Sequence, residues 1–294
     1  MLAALPGHRL RRAATAFASA DAALGSAEPG RGDPGVLKWC AHCQQFIGEM
    51  PPHADLGMTH GLCRKCSGEQ PDLLSGDEYA HAVVLRDLFQ SLFAAGRRND
   101  FEAARPLVDR AIAANCRPVD ILVGMIAPML YEIGRAWEFG TLTVEGEHEF
   151  TAFAERVIDL VEVRMQLACS RPPRSGGDGW YFLMNAPGNT HVVGIRILGL
   201  WLQNQGWRTR HVDELTVLDA LADPAMSGEP KTLLISIALP EQFDAVAALA
   251  ERVKALPAPS RPSIVLGGYA VKTGRVLPIP GVALAPDISA LGLD

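Results

Sequence analysis

Three groups of residues in this 294-residue chain have types and spacings that could carry chemistry. The first is a set of cysteines. Cys40-Ala-His-Cys43 is followed by His60-Gly-Leu-Cys63-Arg-Lys-Cys66, with nineteen residues between Cys43 and Cys63. Two Cys-x-x-Cys units at this separation suit one tetrahedral zinc site, because thiolates are soft ligands and four of them leave no open coordination position. The competing reading is four reduced thiols in a loop. His42 and His60 read as neighbours of the site, not ligands.

The second group lies between a predicted strand and a predicted helix, where the chain reads Asn189-Thr190-His191-Val192-Val193-Gly194. Ser236 closes a later apolar run, and Gly267-Gly268 follows another. At the carboxyl ends of strands in a doubly wound sheet, these residues share the rim where such folds bind ligands. Paired glycines let the backbone approach a flat, bulky ligand without a Cβ clash. Alone, His191 reads as a helix-capping or surface residue and the glycines as a turn; in this order they favour a site.

The third group is Trp137, followed after nine residues by Glu147-His148. The end of one helix and the start of the next can face one ligand, with the indole as an apolar wall and Glu-His as hydrogen-bonding groups. The plainer reading makes Trp137 a core residue at a bundle end. Glu145 and Glu147 then answer the helix dipole behind a Thr143 cap.

The elements that must position these groups follow from periodicity. Apolar residues recur at helical spacing over 78–95, 100–115, 118–139 and 143–168, with short joins, which predicts a four-helix bundle. Pro128 should kink the third helix. Strands are expected at 180–185, 208–213, 232–237, 263–266 and 282–285, and helices at 192–205, 216–221 and 242–256, with a short one after Gly268. That alternation predicts a parallel, doubly wound sheet. The chain therefore divides into an N-terminal segment (1–36, with a short helix at 9–24 and a connector at 25–35), a cysteine module (37–70), a helical bundle (77–171) and a sheet domain (178–294). Linkers are expected at 71–76 and 171–179.

Composition narrows the class. Apolar residues make up 48% of the chain and the net charge is −6, which permits real cores and argues against nucleic acid as the main partner. Arg64 and Lys65 are too few to reverse that. No apolar run is long enough to span a bilayer, and Arg9, Arg11 and Arg12 are not followed by a signal-peptide core. Six cysteines, four of them in paired units, suit a reducing compartment and hence the cytoplasm. Cys116 and Cys169 read as core residues.

The order Asn189-x-His191-x-x-Gly194, Ser236, Gly267-Gly268 resembles the cobalamin-binding domain of methionine synthase, the mutases and the light-responsive cobalamin regulators. Their pattern is Asp-x-His-x-x-Gly, Ser-x-Leu, Gly-Gly. The resemblance implies that His191 is the lower axial cobalt ligand. It also implies that Ser236, Leu239, Gly267 and Gly268 line a cleft for the displaced dimethylbenzimidazole tail. Two positions depart from the pattern. Asn189 replaces aspartate, although its amide oxygen can still accept from the imidazole Nδ1. In Ser236-Ile237-Ala238-Leu239 the leucine comes one place late.

Trp137-x9-Glu147-His148 in turn resembles the motif of the photoreceptor cobalamin family, and the likeness extends over roughly residues 77–290. It implies adenosylcobalamin as chromophore, with Trp137 over the 5′-deoxyadenosyl group, Glu147 bonding its ribose and His148 beside them. Light would then break the cobalt–carbon bond. Glu138 stands where the best-known members carry a histidine. The cysteine module looks like one attached to bacterial signalling proteins. A related group, the photocobilins, also binds biliverdin, and the N-terminal segment leaves room for it.

The expected architecture is thus a small four-cysteine module, a four-helix bundle cap and a Rossmann-like cobalamin domain. The expected function is non-enzymatic light sensing, with output through light-dependent homo-oligomer assembly or a separate protein partner. Two alternatives stand beside it: a corrinoid methyl carrier serving a methyltransferase, and a signalling scaffold whose working part is the zinc module.

Overall fold

The structure is a computed structural model that describes residues 36–50, 57–69, 76–168 and 179–293. The expectations for residues 1–35, for the linkers at 71–75 and 171–178 and for Cys169 lie outside the described residues. The described chain forms two compact units, one within 32–170 and one within 171–293.

The first unit opens with three short strands, β1 (Val36–Cys40), β2 (Phe46–Met50) and β3 (Gly57–Gly61). They form a sheet of order β2-β1-β3, antiparallel on one side of β1 and parallel on the other. Alternation along β1 separates two faces. Leu37 and Trp39 are buried, and Trp39 meets Phe46 edge-on at 5.3 Å. Cys40 joins Cys63, Cys66 and Ile47 in a second small core. Helix α1 (Arg64–Glu69) carries Cys66.

The helices follow: α2 (Gly76–Gly96), α3 (Phe101–Ala113), α4 (Pro118–Ile121), α5 (Ala127–Glu138) and α6 (Val144–Ala168). Asp100 caps α3 through the Ala103 N–H at 3.0 Å, and Pro118 opens α4 where no N–H is needed. A Cβ on Gly96 would lie 2.5 Å from Phe150 and 2.9 Å from Phe153, so this glycine lets α2 close on α6.

The kink expected at Pro128 takes a specific form. A π-turn (Leu122–Ile126) separates α4 from α5, and the Ala127 N–H bonds the Leu122 carbonyl five residues back. Proline lacks an N–H and its ring crowds the carbonyl four residues earlier, here that of Gly124. The wider turn accommodates both defects without ending the helix. All five residues of the π-turn are buried.

The second unit alternates strand and helix: β4 (Trp180–Asn185), α7 (Val192–Asn204), β5 (Arg208–His211), α8 (Val217–Ala222), β6 (Lys231–Ser236), α9 (Phe243–Lys254), β7 (Ser263–Gly267), α10 (Tyr269–Lys272) and β8 (Val282–Ala285). The strands make one parallel sheet of order β5-β4-β6-β7-β8. Phe182, Leu233 and Leu266 are buried on one face of the sheet and Leu183 and Leu234 on the other, as a parallel sheet requires. From β4 the chain steps outward to β5 and then returns to β6 on the other side of β4. Loops leaving β4 and β6 therefore diverge and open a crevice at their carboxyl ends. No described helix is long and apolar enough to cross a membrane.

Candidate functional site

The crevice between β4 and β6 is bridged by one side chain. Asn189 is nearly buried; its Nδ2 donates to the Ser236 carbonyl at 3.0 Å, and its Oδ1 accepts the His191 backbone N–H at 3.0 Å. This corrects the expectation that the amide oxygen serves the imidazole. Asn189 instead fixes the backbone on which His191 sits. His191 is the N-cap residue of α7, yet its side chain makes no capping bond, and the residue is exposed on the rim. Among the described residues nothing bonds the imidazole, so a ring nitrogen is free for a ligand.

The rim around it is bare. A Cβ on Gly194 would meet nothing within 4 Å, which leaves open space beside the first turn of α7. Ser236 pairs in register with Asn185 on one side and Gly267 on the other. Gly268 has φ 99° and ψ −177°, and a Cβ there would lie 2.5 Å from the Ile237 carbonyl oxygen and 3.1 Å from Ser236 Oγ. Only glycine takes that conformation without strain. Leu239, at the late position, is 40% exposed, and its N–H and that of Ala238 both bond Gln242 Oε1. Asn185 was missed by sequence reasoning. Its Oδ1 is buried at the end of β4 with no partner among the described residues. The available signal was a polar residue closing an apolar strand.

At the end of the helical unit, Trp137 is 41% exposed, with Phe139 and Val144 exposed beside it in the chain. The plainer reading, a core tryptophan, does not hold. The turn between α5 and α6 is closed by bonds from the Thr141 and Leu142 N–H groups to the Ala136 carbonyl. Thr143 caps the Gly146 N–H at 3.1 Å. Glu147 is held by Thr151 Oγ1, which donates to it at 2.8 Å, and His148 Nε2 lies 3.6 Å from its other oxygen. His148 itself is exposed. The structure thus brings Glu147 and His148 together and leaves Trp137 open on the preceding helix end.

The four cysteine sulfurs all lie within 4.8 Å of one another, with Cys43 and Cys63 at 3.8 Å. Zinc–sulfur bonds of about 2.3 Å place tetrahedral sulfurs roughly 3.8 Å apart, so the donor set fits a structural metal. His42 Nδ1 is 3.6 Å from Cys66 Sγ, a neighbour as expected. Burial pushes the Cys40 thiol up, but backbone hydrogen bonds from Cys43, Cys63 and His42 outweigh it and bring it to about 7. Burial, first among several causes, pushes Cys43 up and raises Cys66 to about 11.

Sequence reasoning also missed Arg117 and Asp120. Arg117 clamps the fully buried Asp120 through two N–H bonds at 2.6 and 2.7 Å. Burial raises the Asp120 carboxyl against the pull of Arg117 and of a bond from the Phe46 backbone. A basic and an acidic residue three apart at a helix start were the only signal.

Residues 88–162 match the family described as the B12 binding domain. The match falls on α2 through α6. Among solved structures, the chain is similar to the Methanosarcina barkeri monomethylamine corrinoid protein, with 16% identity over 71% of this chain and 95% of that one, at a TM-score of 0.57. The likeness is one of fold. A cobalamin-binding protein from Desulfitobacterium hafniense DCB-2 (15% identity, 70% of this chain and 95% of that one, TM-score 0.35) also matches. So does the methanol:cobalamin methyltransferase complex of Methanosarcina barkeri (16% identity, 78% and 85%, TM-score 0.32). At those scores neither adds to the fold assignment. No curated protein matches in sequence. A corrinoid fits what the sheet unit offers: an exposed imidazole, an open face at Gly194 and a Gly267-Gly268 edge without side chains.

Proposed function

We propose that the protein is a cobalamin-binding light sensor that carries adenosylcobalamin. The exposed Trp137, separated by nine residues from a Glu147 already oriented by Thr151, is the observation that carries this reading. An exposed indole at a helix end offers a flat apolar surface that a planar ligand can cover. Glu147 Oε2, beside His148, can accept from a ribose hydroxyl. His191 would offer an imidazole nitrogen to the cobalt, on a backbone braced by Asn189. Gly194, Gly267 and Gly268 keep side chains away from a large planar ring. When bound, adenosylcobalamin supplies a light-sensitive cobalt–carbon bond. In this reading the protein turns over no substrate, and output passes through assembly of like chains or a partner contact.

A second reading, a corrinoid methyl carrier, is favoured by the architecture shared with the monomethylamine corrinoid protein. One experiment separates them. The full chain is loaded with adenosylcobalamin in the dark, its visible spectrum and assembly state are recorded, and it is then lit with green light. A light-driven change in both spectrum and assembly is expected. Binding without such a change, together with tight binding of methylcobalamin, establishes the carrier. No uptake of either corrinoid overturns both readings and leaves the zinc-module scaffold. A new long-wavelength band on adding biliverdin extends the sensor to two chromophores.

A further inference from the structure

The cysteine module is not a separate appendage: it packs on the helical unit at the π-turn. A Cβ on Gly124 would lie 2.5 Å from the Trp39 ring and 2.8 Å from Phe46. These two aromatic residues flank the first knuckle, Trp39 one residue before Cys40 and Phe46 three after Cys43. The loop between them is closed by the Cys40 N–H on the Gln45 carbonyl at 2.8 Å and the Gln44 N–H on the Cys40 carbonyl at 3.0 Å. A second link runs through charge. Asp120 at the start of the same helix is bonded by the Phe46 backbone and clamped by Arg117 at 2.6 and 2.7 Å.

We infer that the four-cysteine centre is a metal-dependent clamp on the helix that carries Trp137, so that metal occupancy governs how well the helical unit takes a corrinoid. The physical reason is size. A module of about thirty residues buries too little to hold its own fold, and a structural metal supplies the missing free energy. Here the ligands Cys40 and Cys43 lie inside the loop whose two ends are Trp39 and Phe46. Without the metal the loop loosens and the rings leave Gly124. The π-turn is then uncovered on one side. A π-turn is an uncommon, strained arrangement that persists where its surroundings impose it. When it relaxes, α5 turns relative to α6, and Trp137 moves away from Glu147 and His148.

The inference rests on the cobalamin reading only for its ligand; the clamp itself concerns metal and helix. The test uses the full chain, first loaded with zinc and then stripped by a chelator under reducing conditions. Amide hydrogen exchange is followed by mass spectrometry, and cobalamin binding by spectral titration. Removing zinc should collapse protection over residues 118–130, leave α7 and β4 unchanged, and weaken cobalamin binding at least tenfold. Gly124→Val keeps all four cysteines but pushes Trp39 and Phe46 off; it should bind zinc, lose the same protection and lose the same affinity. Unchanged protection over 118–130 in the stripped chain overturns the clamp, as does failure of the intact chain to bind zinc. Lost protection in a chain that takes no cobalamin under any condition upholds the clamp and removes the cobalamin reading. Lost protection with unchanged cobalamin affinity overturns the coupling.

Discussion

Asn189 and Ser236 join the two strands that flank the crevice. The Asn189 amide donates to the Ser236 carbonyl at 3.0 Å, and its oxygen secures the His191 N–H at the same distance. One side chain thus satisfies a donor and an acceptor that the diverging loops would leave unpaired.

An aspartate at this position, the usual residue of the resembled pattern, is expected to be worse here. Asn189→Asp keeps the acceptor for His191 but sets a carboxylate oxygen against the Ser236 carbonyl. The cost should be about 1–3 kcal/mol, the range for losing a buried hydrogen bond. Chemical denaturation of the two proteins measures it. A variant as stable as the parent would show that the bridge does not bear on this loop.

Gly268 and Gly194 should behave oppositely when changed to alanine. Gly268→Ala places a Cβ 2.5 Å from the Ile237 carbonyl at φ 99° and should cost about 2–4 kcal/mol. Gly194→Ala meets nothing within 4 Å in the first turn of α7 and should stabilise by about 0.5–1 kcal/mol. The same Gly194→Ala should weaken cobalamin binding, because the added methyl group stands beside His191. Denaturation midpoints paired with spectral titration check both halves.

The axial assignment has its own signature. His191→Ala should leave thermal stability within about 0.5 kcal/mol of the parent, since the side chain is exposed and makes no capping bond. Cobalamin taken up by the variant should lack the spectrum of an imidazole-ligated cobalt. A spectrum identical to the parent's rules His191 out as the ligand.

Trp137→Ala should likewise change stability by less than about 1 kcal/mol, because the indole is 41% exposed. Its effect belongs to the ligand. Affinity for adenosylcobalamin should fall about tenfold, which corresponds to ~1.4 kcal/mol, while methylcobalamin binding changes little. An equal loss for both corrinoids would favour the methyl carrier.

Acid should loosen the sheet unit through His211. Burial lowers the pKa of this imidazole, and its Nε2 lies 2.9 Å from where a Gly199 Cβ would be. The folded state then binds fewer protons than the unfolded state, so stability is full above the unfolded pKa of about 6.5 and declines as pH falls below it. Hydrogen exchange in β4, followed between about pH 7.5 and pH 5.5, should show that decline, and His211→Gln should reduce it. Equal slopes for the two proteins would exclude His211 as its source. His60, also depressed by burial, contributes with the same sign in the helical unit.

Much of the architecture could be read from local pattern. Burial between two helical layers makes strands such as β4 and β6 continuous apolar runs, and a parallel sheet exposes only the ends of its strands. The polar residues and glycines at those ends, Asn189, His191, Ser236 and Gly268, therefore stand out in the sequence. The helices were legible for the matching reason, since each buries one stripe at a period near 3.6 residues. The four cysteines announced their cluster because ligand spacing is a property of the chain itself.

What the chain could not reveal is which groups share a contact at long range. Trp137 looks like a core residue by its position in an apolar stripe; only the folded unit shows that it is open. Asn189 looks like an imidazole partner two residues away, but the return of β6 beside β4 supplies the Ser236 carbonyl as a competing partner forty-seven residues on. Pro128 foretold a disturbance and not its form, because a π-turn depends on what covers it, and the cover is Trp39 and Phe46 from the cysteine module. Residue types and spacing determined the chemistry on offer: an imidazole, a glycine edge, an indole beside Glu-His and four thiolates. Tertiary structure decided how each is held and what it faces, since hydrogen bonds and packing join groups that are close in space however distant they are along the chain.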